Sequence, residues 1–206
     1  MHEGLFITLE GIEGAGKSSS LNYISELFIC AGHEVLQTRE PGGTDTGEQI
    51  RKILLDSDNI KLESSTELLL MFAARSQHLE EIVKPALEND QIVICDRFTD
   101  ASYAYQGGGR GIEELRIKTL EDWVQLGFTP TVTLLFDLDV EVGLRRAEKR
   151  NQADRFEQED IMFFKRVRSS YLQRASNEPT RFRIINAGNS LEDVKQQIHK
   201  ALHEYL

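Results

Sequence analysis

The chain alternates short apolar runs with longer segments in which apolar residues recur every three or four positions. Five short runs read as strands: Leu5–Leu9, Glu34–Thr38, Ile92–Cys95, Val132–Phe136 and Phe182–Ile185. The longer segments read as helices: Ser18–Ala31, Thr46–Asp56, Ser64 to about Asn89, Glu113–Gly127, Val140–Arg150, Asp160–Ala175 and Leu191–Leu206. Gly32 follows the first helix as a C′ glycine would. Ser64-Ser65-Thr66-Glu67 has the form of a capping box. Leu115, Leu120, Trp123 and Val124 are expected on one face of their helix. Strand and helix in alternation predict an α/β fold, a five-stranded parallel sheet flanked by helices, in one domain over residues 1–206. In such sheets ligands bind beyond the carboxyl ends of the strands. That edge would gather Glu10 to Ser18, Arg39 to Gly43, Asp96-Arg97 and Asp137 to Asp139.

One stretch at that edge carries specific chemistry. Gly11-Ile12-Glu13-Gly14-Ala15-Gly16-Lys17-Ser18 fits G-x-x-x-x-G-K-[ST] between a strand and a helix. Its glycines let backbone N–H groups converge on phosphate oxygens at a helix N-terminus. Lys17 would reach the outer phosphates, and the Ser18 hydroxyl would serve Mg²⁺. The fold expectation thereby narrows to the P-loop NTPase type, and the chain is expected to bind a nucleoside triphosphate.

Composition sets limits. The 206 residues carry 24 Lys plus Arg against 34 Asp plus Glu, a net charge of -10. That balance opposes a nucleic acid partner, which needs a basic face. Met1-His2-Glu3-Gly4 does not open a signal peptide, and no stretch nears the roughly 18 apolar residues of a membrane span. Cys30 and Cys95 sit in apolar segments and read as buried thiols. A cytoplasmic enzyme is the expectation.

Further constellations add detail. Asp96 ends a strand, as an acid that holds Mg²⁺ through water does, and Arg97 beside it can clamp a phosphoryl oxygen. Asp137 ends another, but an N-cap role suits it or Asp139 better. Arg39-Glu40-Pro41-Gly42-Gly43-Thr44 forms a tight turn. Phe72 and Arg75 are three apart on a helix, where a ring beside a guanidinium suits a flat base; a core Phe and a solvated Arg is the plainer reading. Ser102 to Gly111 carries four glycines and reads as a hinge, a linker or a close approach of backbone, with Tyr103 and Gln106 able to read a base or sugar. Arg145, Arg146, Lys149, Arg150 and Arg155 concentrate positive charge around Asn151-Gln152-Ala153-Asp154, as a solvated face or as a mobile lid over about 143–156.

Taken together, the phosphate loop, Thr38 to Thr44, Asp96-Arg97-Phe98, Ala104 to Gly111 and Asp154-Arg155 resemble the thymidylate kinase family in its bacterial form, from Phe6 to the C-terminus. The resemblance implies γ-phosphoryl transfer from ATP to dTMP with Mg²⁺, in a homodimer. ATP would lie on Gly11, Ile12, Glu13, Gly14, Ala15, Gly16, Lys17, Ser18 and Ser19, with Arg146. The metal would use Ser18 and Asp96. Phe72 would stack on thymine, Arg75 would bond its edge, and Pro41, Ser102 and Gln106 would complete the pocket. Tyr103 would crowd the sugar 2′ position, Glu13 would bond the 3′-hydroxyl or help organise Mg²⁺, and Arg39 and Arg97 would hold the dTMP phosphate. Family members with glycine at the position of Gly14 supply a catalytic arginine from the lid, which implies Arg150 beside Lys17 and Arg97. Phe98 departs from the usual His or Tyr. Another nucleoside or nucleotide kinase of the P-loop class, or a P-loop NTPase switch, are the alternative readings; no Asn-Lys-x-Asp guanine motif supports the switch.

Overall fold

The computed structural model describes residues 4–57, 62–148 and 154–206. Five strands, β1 (Phe6–Glu10), β2 (Val35–Arg39), β3 (Ile92–Asp96), β4 (Val132–Asp137) and β5 (Phe182–Asn186), form one sheet in the order β2-β3-β1-β4-β5. All pairs are parallel, with Leu9 opposite both Asp96 and Leu134. β1 is buried along its whole length, and β4 along all but its last residue. Helices cover both faces of such strands, which explains their unbroken apolar runs. The chain leaves β1 toward β3 and β2 on one side and returns to β4 and β5 on the other. The carboxyl end of β1 is therefore the switch point at which such sheets bind ligands.

The helices are α1 (Lys17–Cys30), α2 (Asp45–Leu55), α3 (Ser64–His78), α4 (Lys84–Glu88), α5 (Thr99–Ser102), α6 (Glu114–Gln125), α7 (Val140–Ala147), α8 (Ile161–Asn177) and α9 (Leu191–Leu202). α3 runs into α4 through a π-helical turn at Leu79–Val83. That widened turn lies just ahead of Pro85, whose missing N–H breaks the regular ladder. Asp139 caps α7 by accepting from the N–H groups of Glu141 and Val142 at 3.0 and 3.2 Å. Asp137 instead accepts from Arg168 at 2.6 and 2.9 Å. Among the described residues no helix is long and apolar enough to cross a membrane.

Three expectations are corrected, and of the readings of the glycine-rich stretch the close approach of backbone is borne out. The capping box does not form: Glu63 precedes α3 without a side-chain cap, and Glu67 is fully buried among other partners. In α6 the inward face is Ile117, Leu120 and Val124, whereas Leu115 and Trp123 are 67% and 77% exposed. Cys95 is buried but Cys30 is exposed. The glycine-rich stretch is not a linker. Tyr103–Gly109 is a π-helical turn packed on α8, where a Cβ on Gly109 would come within 2.5 Å of the Phe163 ring and one on Gly108 within 2.7 Å of Ser170 Cβ. These glycines permit close approach of two helices.

Candidate active site

The phosphate loop joins β1 to α1, and α7 lies directly against it. Gly14 has φ of 73°, and a Cβ there would stand 2.1 Å from the carbonyl oxygen of Gly143. The backbone contact excludes a basic side chain at position 14. Ile12 and Ala15 are buried in the apolar core, while Ser18 and Ser19 are exposed at the start of α1. Lys17 is buried, and its Nζ donates to the carbonyl oxygens of Gly11 and Ile12 at 2.9 and 3.0 Å. Burial, and next the charge of Arg97, pull its pKa down to about 8.

Asp96 ends β3 beside the loop. Its Oδ1 is buried and has no hydrogen-bond partner, an uncommon state for a carboxylate oxygen. Arg97 follows with φ of 71°, in the left-handed region that non-glycine residues seldom occupy. That turn sends its guanidinium over the Tyr105 ring, 4.7 Å from the centroid. There it donates to Glu13 Oε1 at 2.9 Å and to the Tyr171 hydroxyl at 3.2 Å. Tyr105 donates to both Glu13 oxygens, at 2.8 and 2.7 Å. Behind them Glu10 accepts from the Phe98 N–H and the Tyr171 hydroxyl, both at 2.7 Å. Burial, with the charge of Asp100 next, pushes the Glu10 pKa up to about 7.

Arg75 forms the opposite wall. Its Nε donates to Glu40 Oε2 at 2.7 Å, and its Nη2 to Phe98 O and Ser102 Oγ at 3.1 and 3.2 Å. His78 Nδ1 lies 2.9 Å from the second Glu40 oxygen. Arg75 Nη1 is buried and unpartnered. Pro41, Ser102 and Gln106 share this cleft with Arg75, Arg97, Asp96 and the phosphate loop.

Three residues expected at the dTMP site stand elsewhere. Phe72 does not line the cleft; it is 2% exposed, packed with Leu68, Tyr103 and Ile117, and supports the Arg75 guanidinium at 4.6 Å from behind. Met71 lines the cleft in its place. Tyr103 turns away, with its hydroxyl donating to Glu121 at 2.6 Å and Arg174 over its ring at 3.9 Å; Tyr105 is the tyrosine in the cleft. Arg39 is exposed and paired with Glu48 at 2.8 Å, whereas Arg51, bonded to Pro41 O at 2.8 Å, faces the cleft. Helical phase held the signal for two of these: Met71 and Arg75 are i, i+4, and Ser102 shares a face with Tyr105 and Gln106 rather than with Tyr103. Arg146 is exposed on α7 and donates to Ala187 O at 3.2 Å, outside the cleft lining. Arg150 lies outside the described residues.

A phosphate loop at the switch point of a parallel sheet, lining one cleft with the buried Arg75, defines a P-loop nucleotide-binding protein of the α/β class. The family model described as thymidylate kinase matches residues 9–198. A thymidylate kinase of Pseudomonas syringae pv. tomato is 54% identical over 203 residues, 98% of this chain and 97% of its own length. One of Pseudomonas putida (strain GB-1) is 53% identical over 199 residues, 97% and 95% of the two chains. The chain belongs to the thymidylate kinase family.

The depressed Lys17 pKa carries a testable sign. A bound triphosphate stabilises the ammonium, so the free protein must take up a proton to bind above about pH 8. The Kd for ATP, followed by calorimetry, is expected to be flat from pH 6.5 to 7.5 and then to rise up to about tenfold per pH unit. A flat profile to pH 9.5 contradicts the assignment of Lys17 to the phosphates.

Proposed function

We propose that the protein transfers the γ-phosphoryl group of ATP to dTMP, giving dTDP and ADP. The carrying observation is the buried Arg75 Nη1 with no partner, in a cleft walled by Met71, Pro41, Phe98, Ser102 and Gln106. A donor held dry is costly unless a ligand acceptor meets it, and a carbonyl on a flat base supplies one. The phosphate loop, Gly11 to Ser18 with Ser19, takes the ATP phosphates. Arg97, with Arg51 rather than Arg39, takes the dTMP phosphate. Glu13, held by Arg97 and Tyr105, faces the sugar 3′-hydroxyl. Mg²⁺ fits the unpartnered Asp96 Oδ1 and the exposed Ser18 hydroxyl, both of which line the cleft. When bound, the ion neutralises charge on the β- and γ-phosphate oxygens. Because the acceptor is already a phosphate dianion, the chain's own residues need to align it and supply cations, Lys17, Arg97 and Arg150, to the transferring group. A cytoplasmic setting fits an enzyme of this kind.

The direct test offers the protein ATP and Mg²⁺ with each nucleoside monophosphate. Rapid ADP formation is expected with dTMP only; acceptor-independent hydrolysis would point to a switch. Met71→Ala should raise KM for dTMP about two- to tenfold, the scale of a sulfur–aromatic contact of about 0.3–1.5 kcal/mol. Phe72→Ala should instead cost about 3–5 kcal/mol of stability, as a core deletion does. A base effect confined to Phe72→Ala would contradict the placement of the two residues.

Arg150 is assigned to the transition state, because position 14 excludes a second cation on the loop. Arg150→Ala should lower kcat roughly 10³-fold at unchanged melting temperature. Turnover within about threefold of wild type, less than 1 kcal/mol, would remove Arg150 from the chemistry.

Two copies are proposed to associate through the outer faces of α3 and α6, where Leu69, Leu115 and Trp123 are 56%, 67% and 77% exposed. Light scattering should return twice the monomer mass, and a Trp123→Glu variant should return one; a monomeric wild type contradicts this assembly.

A further inference from the structure

Glu67, one turn into α3, is fully buried. Its Oε1 accepts from Gln106 Nε2 at 2.8 Å, and its Oε2 from Arg155 Nη2 at 2.7 Å. Arg110 Nε lies 3.4 and 3.3 Å from the two oxygens. Arg155 also donates Nε to the carbonyl oxygen of Leu54 at 2.9 Å. One carboxylate thus joins the turn that carries Gln106, the segment that follows residues 149–153, and, through Arg155, the end of α2.

A carboxylate only accepts. The Gln106 amide is therefore held with its NH₂ toward Glu67, and its carbonyl oxygen is the end left for other contacts. With Arg75 Nη1 as a donor, this polarity offers one donor and one acceptor to a base. A pyrimidine with a 4-keto group and an N3–H matches that order. A 4-amino pyrimidine presents the reverse, which leaves buried polar groups unpaired and is rejected strongly.

We propose that Glu67 is a positioning residue: it sets the donor–acceptor polarity of Gln106 and, through Arg155, anchors the segment that begins at Asp154 to the same pocket wall. The inference rests on the base pocket of the proposed function. Glu67 itself touches no substrate; its effect is carried by Gln106 and Arg155.

Glu67→Gln keeps the shape but leaves one accepting atom where two are needed. The expected result is at least a tenfold fall in the ratio of kcat/KM for dTMP to that for dCMP, carried by a higher KM for dTMP, with KM for ATP within about twofold. A role confined to stability would lower the melting temperature and leave the ratio unchanged, and a ratio within twofold of wild type overturns the proposal. Arg155→Met spares the Gln106 contact, so the ratio should hold while kcat falls; a wild-type kcat overturns the anchoring role. Where Glu67→Gln does not fold, the free wild-type protein still decides. The Gln106 side-chain amide protons, identified in NMR spectra by their loss in Gln106→Leu, should exchange slowly with solvent, and fast exchange overturns the proposal. This readout needs no substrate, so it separates a failure of Glu67 from a failure of dTMP turnover in the wild type.

Discussion

A charge taken out of water needs a partner that replaces its hydration, and an unpaired one costs several kcal/mol. The cleft is organised by that requirement. Glu10 is met by the Phe98 N–H and Tyr171, Glu13 by Arg97 and Tyr105, Glu40 by Arg75 and His78, and Glu67 by Arg155, Arg110 and Gln106. Among the described residues three buried side-chain atoms lack a hydrogen bond: Arg75 Nη1, Asp96 Oδ1 and Arg110 Nη2. The last lies 3.3 Å from Glu67 Oε2, a charge contact without hydrogen-bond alignment. The other two belong to residues that line the cleft. One is a donor beside an apolar wall, and the other is an anion beside the phosphate loop. Each is open to a ligand: one to an acceptor, the other to a donor or a cation.

The sheet order brings these groups together. β3 and β4 flank β1, so the loop after β1 and the Asp96-Arg97 corner after β3 meet at one edge. Glu40 joins them because its N–H bonds to Asp96 O at 3.0 Å, continuing the β2–β3 ladder past the strand end. The left-handed turn at Arg97 then points its guanidinium back across the loop. A chain of net charge -10 thereby gathers Lys17, Arg51, Arg75 and Arg97 in one cleft, each placed against carboxylates of the same lining such as Glu13, Glu40 and Asp96.

Much of this was legible in the residues. The five strands were readable because buried parallel strands are continuous apolar runs, and the phosphate loop because it needs its glycines and lysine in fixed order. The family resemblance carried the site's outline. What failed was side-chain direction. Phe72 and Tyr103 are aromatic and near the cleft, but a one-residue step on a helix turns a side chain by about 100°. One such step separates Phe72 in the core from Met71 in the cleft, and two separate Tyr103 from Tyr105. Arg39 was misjudged for another reason: its partner Glu48 lies on the following helix, and no local pattern reveals that pairing. Glu67 was hidden by a motif it matches. Its three guanidinium and amide partners are 39 to 88 residues away in sequence, and their combined hold exceeds the small gain of a cap.

The most direct measurement of the account is a crystal structure with dTMP and a non-hydrolysable ATP analogue in the presence of Mg²⁺. The two open atoms should both be satisfied. Arg75 Nη1 should lie within hydrogen-bond distance of a thymine carbonyl, with Met71 against the ring, and Asp96 Oδ1 should face the metal or one of its waters. Arg75 bonded to phosphate, with the base elsewhere, would contradict it.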